Sequence, residues 1–157
     1  MKEIQLTQNQ VALVDDEDFE RLNQVKWCAD KMGNTFYGRR HSPCVNGKRY
    51  EILMHHEVIG KPPKGFEVDH LNGVGTDNQK ENLRFVTRRQ NCQNKKNTKK
   101  TSIYPGVHWQ KLRGKWCTQI TINGKLKHLG LFTDELKAFE AYEQAVNKLG
   151  ETVIGGN

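Results

Sequence analysis

The sequence predicts an α+β protein. A small β-rich N-terminal region leads into a strand–loop–strand–helix unit, and a three-stranded antiparallel sheet packed on one helix follows. Three observations predict this. Hydrophobic residues make up only 35% of the 157 residues, below the roughly 45–50% of ordinary globular chains, so several small cores are expected in place of one large one. Short apolar runs are split by Gly-Asn and Asn-Gly dipeptides, which are strand and hairpin signals. Two patterns with helical periodicity, each opening on a capping residue, follow strands rather than alternate with them one by one.

Each element has its own local reason. Val11-Ala12-Leu13-Val14 is a strand, and the acids Asp15 to Asp18 suit the start of a short helix through Leu22, where negative charge meets the helix dipole. Trp27-Cys28-Ala29 and Phe36-Tyr37-Gly38 are strands around a Gly33-Asn34 turn. Asn46-Gly47 is a hairpin turn followed by Tyr50, Ile52 and Met54 in period-two alternation. Lys61-Pro62-Pro63-Lys64-Gly65 breaks regular structure and marks a module boundary or tight turn. Phe66 to Leu71 is a strand running into Asn72-Gly73, a polar loop reaches Asn82, and Leu83 to Val86 is a second strand. Thr87-Arg88-Arg89-Gln90 is a capping box that opens a helix carrying Asn91, Asn94 and Lys95.

Residues 97–102 are polar and read as a linker. Val107-His108-Trp109, Trp116 to Ile122 and Leu126 to Phe132 then form three strands joined at Arg113-Gly114 and Asn123-Gly124. Thr133 caps a final helix with the stripe Ala138, Ala141, Tyr142, Ala145 and Leu149, which Gly150 ends. The open face of that sheet is expected to carry Lys and Arg, with one of Trp109 and Trp116 in the core and the other toward a ligand. The expected divisions are 1–60, 61–97, a linker at 98–102, 103–150 and a tail at 151–157.

Charge narrows the partners. The formal net charge is +7, and the distribution is uneven. From Asn82 to Thr133 there is no acidic residue, whereas twelve lysines and arginines fall there. Ordinary solvated surfaces intersperse both signs. A folded stretch cleared of carboxylates suits phosphate neutralisation with counterion release. No apolar run approaches the roughly 18–20 residues of a membrane span, and Met1-Lys2-Glu3 leads into a polar stretch, so neither a membrane partner nor secretion is expected. Cysteines 28, 44, 92 and 117 form no close pair; reduced thiols in a cytoplasmic protein are expected, with Cys28 and Cys44 buried.

One constellation carries chemistry. Asp69-His70, Asn82 and Asn91 fall on the strand, the loop exit and the helix of one hairpin–helix unit. Hydrolysing a phosphodiester needs a deprotonated water, a cation at the phosphate and stabilisation of the leaving oxygen. A neutral imidazole can take the proton. Mg²⁺ wants oxygen ligands and keeps several waters, a demand that Asp69 carboxylate and Asn91 amide oxygen meet. Asn94 is either a further ligand or a helix-surface group. Of the adjacent His55 and His56, one is expected to be packed or hydrogen-bonded.

The stretch Val68-Asp69-His70-Leu71-Asn72-Gly73, then Asp77-Asn78, then Glu81-Asn82-Leu83-Arg84-Phe85-Val86-Thr87, then Gln90-Asn91-Cys92-Gln93-Asn94 resembles the HNH endonucleases of phage and homing-element type. His55 resembles the histidine often found upstream in that family. The resemblance implies a ββα-metal fold in which His70 is the general base and Asp69 and Asn91 are the metal ligands. It implies that Asn82 braces the loop and orients the base. Asparagine in place of histidine at position 91 implies one hydrated Mg²⁺-like ion, replaceable by Mn²⁺, over a tightly held zinc. The downstream Arg84, Arg88, Arg89, Lys95 and Lys96 would grip the DNA backbone.

Tyr104-Pro105-Gly106-Val107, Gly114-Lys115-Trp116, Leu129-Gly130-Leu131-Phe132 and Ala138-Phe139-Glu140-Ala141-Tyr142 resemble the AP2 DNA-binding domain. That similarity implies a sheet lying in the major groove, with His108, Arg113, Lys115, Trp116, Gln119, Lys125 and Lys127 as contacts. Pro105, His108 and Thr121 stand where the plant members commonly carry arginines. The resulting expectation is a metal-dependent DNA endonuclease of phage or mobile-element origin, acting on double-stranded DNA as a monomer without a small-molecule cofactor. A non-catalytic DNA-binding regulator on the same scaffold is the alternative, and charge alone leaves RNA open as the substrate.

Overall fold

The computed structural model describes residues 1–94 and 101–154, and the chain forms two compact units, Met1–Asn91 and Cys92–Asn157. Among the described residues, ten strands build four small antiparallel sheets and are joined by four α-helices. None of those helices is long and apolar enough to cross a membrane.

In the first unit, β1 (Lys2–Gln5) pairs with β2 (Val11–Val14). Strand β1 carries no strand signal because it is mostly polar, but Ile4 on it and Leu6 just beyond it point inward and are buried. Helix α1 (Asp16–Asn23) follows with its three acids in the first turn. Then β3 (Cys28–Met32), β4 (Thr35–His41) and β5 (Glu51–Leu53) form one sheet in that order. The core joins Ile4, Leu6, Ala12, Val14, Leu22, Trp27, Ala29 and Met54. Trp27 can be wholly buried because its indole Nε1 donates to the Leu22 carbonyl at 2.9 Å.

Two expectations for this region fail for identifiable reasons. The alternation Tyr50, Ile52, Met54 does not continue as a strand: β5 stops at Leu53 and Met54 opens helix α2 (Met54–Ile59). Met54 is fully buried against Gly38, where an added Cβ would lie 3.1 Å from the Met54 side chain. Tertiary packing decides its conformation. Cys28 and Cys44 are exposed, not buried. On β3 the pleat turns Ala29 into the core and Cys28 out, and Cys44 precedes the turn at Asn46-Gly47.

The hairpin of β6 (Phe66–His70) and β7 (Leu83–Thr87) runs directly into α3 (Arg88–Asn94). The capping box forms in both directions: Thr87 N donates to Gln90 Oε1 at 3.0 Å, and Gln90 N donates to Thr87 Oγ1 at 3.3 Å. Residues on either side of Pro62-Pro63 belong to one unit. The long loop before β7 is stitched to the N-terminal elements. Leu13 N donates to Thr76 O at 2.9 Å, Asn78 N to Leu13 O at 2.8 Å, Gly75 N to Thr35 Oγ1 at 2.9 Å, and Lys80 N to Asp15 Oδ2 at 2.8 Å.

In the second unit, β8 (Val107–Gln110), β9 (Lys115–Ile122) and β10 (Lys125–Phe132) form a sheet with β9 central, and α4 (Glu135–Asn147) packs on one face. The cap is Asp134, not Thr133: its Oδ1 accepts from Lys137 N at 3.0 Å. The helix also ends before Gly150, so Val146 completes the buried stripe of Ala138 and Tyr142, and Leu149 lies exposed. Gly106 has a positive φ of 72°, and a Cβ there would sit 2.2 Å from the Tyr142 ring, so only glycine allows this approach. Thr101 and Ser102, expected in the linker, are fixed in this unit. Thr101 Oγ1 accepts from Trp109 N at 2.9 Å, and Ser102 Oγ donates to Glu135 Oε1 at 2.6 Å. Residues 98–100 of that linker, with Lys95 and Lys96, lie outside the described residues.

Met54→Ala leaves a cavity between β4, α2 and the loop before β7. It is expected to lower stability by about 2–5 kcal/mol, read from urea unfolding of the whole chain.

Candidate active site

The hairpin of β6 and β7 sets the geometry. Adjacent strand residues project to opposite faces, so Glu67 and Asp69 share one face and His70 takes the other. Convergence of Asp69 and His70 on one side would need a departure from strand geometry at that point. None occurs: Asp69 pairs with Arg84 and His70 with Leu83 in unbroken register. The chain turns only beyond His70, where Gly73 N donates to the His70 carbonyl at 2.9 Å. Both residues are 5% exposed and sit at the very end of the strand.

On the first face, Arg84 donates twice to Asp69 Oδ2, from Nε at 3.0 Å and Nη2 at 2.8 Å. A guanidinium on a buried carboxylate offsets much of that carboxylate's dehydration cost. Asn91 reaches this side of the hairpin from α3, where its Nδ2 donates to Glu67 Oε2 at 2.6 Å. Among the described residues, no group of three or more His, Cys, Asp and Glu gathers as a metal cage. The donors open to a cation here are oxygens, from the Asp69 carboxylate and the Asn91 amide, with Glu67 engaged by the Asn91 NH₂ group. That set fits a hard, partly hydrated cation such as Mg²⁺, and it lacks the sulfur and imidazole that zinc favours.

On the second face, His70 packs edge-on against Tyr37 and His55, with ring centroids 5.6 and 5.3 Å apart. Burial pulls the His70 pKa below the ordinary histidine value, opposed by a hydrogen bond with Asn78 and by the charges of Asp69 and Asp77. The imidazole is thus held in its neutral form near pH 7, the form that accepts a proton. Burial, followed by the charges His70 and His56 can carry, pushes His55 down to about 3. Burial and then the Asp69 carboxylate raise the Tyr37 phenol. Tyr37 is itself fixed by Gly75, where a Cβ would lie 2.6 Å from its ring.

Asn82 ties the two ends of the loop together. Its Oδ1 accepts from Asn72 N at 3.0 Å and its Nδ2 donates to the Asp77 carbonyl at 2.8 Å. Both of these bonds go to loop backbone. The carboxamide beside His70 belongs to Asn78, which is fully buried and also donates to the Thr76 carbonyl at 3.1 Å. The sequence offered Asn78 only as part of an Asp-Asn pair, without a role. Tyr37 and Glu67 gave no signal, because neither residue type nor spacing connects them to the motif.

The nucleic-acid candidates divide by face. In the second unit, His108 pairs with Cys117 across β8 and β9, and Lys115 and Gln119 share the Cys117 side, opposite α4. Lys125 and Lys127 pair with Ile122 and Ile120, which places them on the α4 side, exposed at the edge strand. Trp109 and Trp116 are cross-strand partners 5.1 Å apart on that same α4 side, so neither faces away from the other as expected. The open face carries Lys115 with His108, Gln119 and His128, not a carpet of lysine and arginine. Arg113 sits in the turn between β8 and β9, Arg88 is exposed on α3, and Arg89 is half-buried.

Residues 52–93 match the HNH endonuclease family, HNH_3. The match begins in β5, takes in α2 with His55, and ends in α3, so it contains both faces of the hairpin. The chain is also 36% identical over 78 residues to Protein 3.8 of Escherichia phage T7. That similarity covers 49% of this chain and 64% of the relative, so the chain spans under two thirds of the relative's length. No solved structure matches.

The depressed pKa of His55 has a stability consequence. Unfolded, it binds a proton near pH 6.5; folded, only near 3. Between those values the unfolded state holds more protons, so stability rises with pH across the window and is lost on acidification. Urea unfolding between about pH 7 and pH 4 is expected to show this slope, and His55→Leu to flatten it.

Proposed function

We propose that this protein is a metal-dependent DNA endonuclease that hydrolyses phosphodiester bonds. The observation that carries the reading is the coincidence of the HNH match at residues 52–93 with the hairpin–helix that bears Asp69, His70, Asn82 and Asn91. Asp69 and Asn91 hold one divalent cation, Mg²⁺ or Mn²⁺, through oxygen. When bound, that ion supplies Lewis-acid polarisation of the scissile phosphate and offsets charge on the leaving oxygen. The neutral His70 imidazole takes the proton of the attacking water, and Asn78 and Tyr37 keep its ring in place. Asn82 fixes the loop on which that end of β6 depends. Arg88 and Arg89 follow within one helical turn and grip the backbone.

The second unit is read as an AP2-like module that sets location on DNA. Its three-stranded sheet backed by one helix and the acid-free run from Asn82 to Thr133 support that role. Lys115, Gln119, His108 and Arg113 lie on or beside the open face, and Lys125 and Lys127 lie exposed on the α4 side of the edge strand β10. A non-catalytic DNA binder is the competing reading, and the two-bond neutralisation of Asp69 by Arg84 favours it.

Nicking of supercoiled plasmid in Mg²⁺ decides between them. His70→Ala is expected to slow cleavage by about 10²–10⁴-fold while DNA affinity in a gel-shift assay stays unchanged, since the residue contacts no phosphate. Equal loss of binding contradicts the assigned role, and absence of nicking in the parent protein supports the binder. Lys115→Ala is expected to weaken DNA binding and to lower the slope of log affinity against log salt by about 1.

A further inference from the structure

The bond between Asn91 and Glu67 has chemical content beyond holding α3 to β6. A carboxamide has an oxygen end and an NH₂ end of nearly equal size, and only the oxygen end can ligate a cation. A carboxylate accepts hydrogen bonds and donates none. The contact of 2.6 Å between Asn91 and Glu67 Oε2 therefore has one chemically allowed sense, with Asn91 Nδ2 toward Glu67 and Oδ1 turned away from it. Glu67 is anchored in turn by the strand register, in which it pairs with Val86 two positions from the Asp69–Arg84 pair. It lies on the Asp69 face, about 7 Å along the strand from that acid.

We propose that Glu67 is a positioning residue of the cation site, orienting the Asn91 amide so that its oxygen faces the ion. The inference rests on the reading of Asp69 and Asn91 as cation ligands. Groups that orient ligands in this way govern metal affinity nearly as strongly as the ligands do. Glu67 acts through its acceptor atom, not through its charge, and this separates it from a third ligand.

The test is calorimetric titration of Mg²⁺ and of Mn²⁺ into the full chain without DNA, with thermal unfolding as a check on folding. Glu67→Leu removes the acceptor and is expected to weaken cation binding by about 10-fold or more. Glu67→Gln keeps an acceptor oxygen and is expected to bind nearly as tightly as the parent. In an Asn91→Asp background both end atoms at position 91 are oxygens and nothing needs orienting, so adding Glu67→Leu is expected to cause no further loss. The inference is overturned if Glu67→Leu binds like the parent, if Glu67→Gln is as weak as Glu67→Leu, or if Glu67→Leu still costs affinity in the Asn91→Asp background. Failure of the parent chain to bind either ion overturns the ligand assignment itself, a different result from parental binding that Glu67→Leu leaves untouched.

Discussion

Burying polar side chains is the constraint around which the first unit is organised. His55, Asp69, His70, Asn78 and Asn82 all lie in its interior. Each must recover by hydrogen bonding or charge pairing what it loses in hydration. The recovery draws on distant parts of the chain: Tyr37 from β4, His55 from α2, Arg84 from the opposite strand, and the backbone of the loop before β7. An apolar core of eight buried residues holds β1, β2, α1 and the β3–β5 sheet together. It is the polar cluster that fastens the hairpin to them.

The two faces of β6 divide the chemistry. One carries carboxylates, an amide and a guanidinium, and the other carries aromatic rings and neutral imidazoles. Asp69 still acts across the strand, since its charge opposes the effect of burial on His70 and raises Tyr37. The Arg84 contact tempers the same charge. The electrostatic state of the site is thus set by residues from four elements, although only one short motif announces it.

Much of the local architecture was legible because its causes are local. The capping box at Thr87 and Gln90, the Asn46-Gly47 and Asn123-Gly124 turns with left-handed φ at both positions, and the three strands of the second unit each follow from neighbouring residues. Elements decided by tertiary packing were not legible. Met54 leaves a strand pattern to start a helix because the space beside Gly38 requires it, and polar β1 forms because β2 offers a pairing edge. The ordered motif made Asp69, His70, Asn82 and Asn91 visible. Tyr37 and Glu67 were invisible because what matters is their place in space, and Asn78 was visible without its purpose. The pairing of Trp109 with Trp116 depends on strand register, which alternating polarity alone did not fix.

Strand β7 passes into α3 with no residue between them, and the capping box locks that junction. The hairpin register therefore dictates where Asn91 arrives. Adding or deleting one residue within either strand would turn every later side chain of that strand to the wrong face and carry α3 with it. The strands therefore accept substitutions more readily than changes of length, which the loop between them can take up only away from the contacts of Asn72, Asp77 and Asn78. The hairpin behaves as a ruler whose graduations evolution can repaint but not respace.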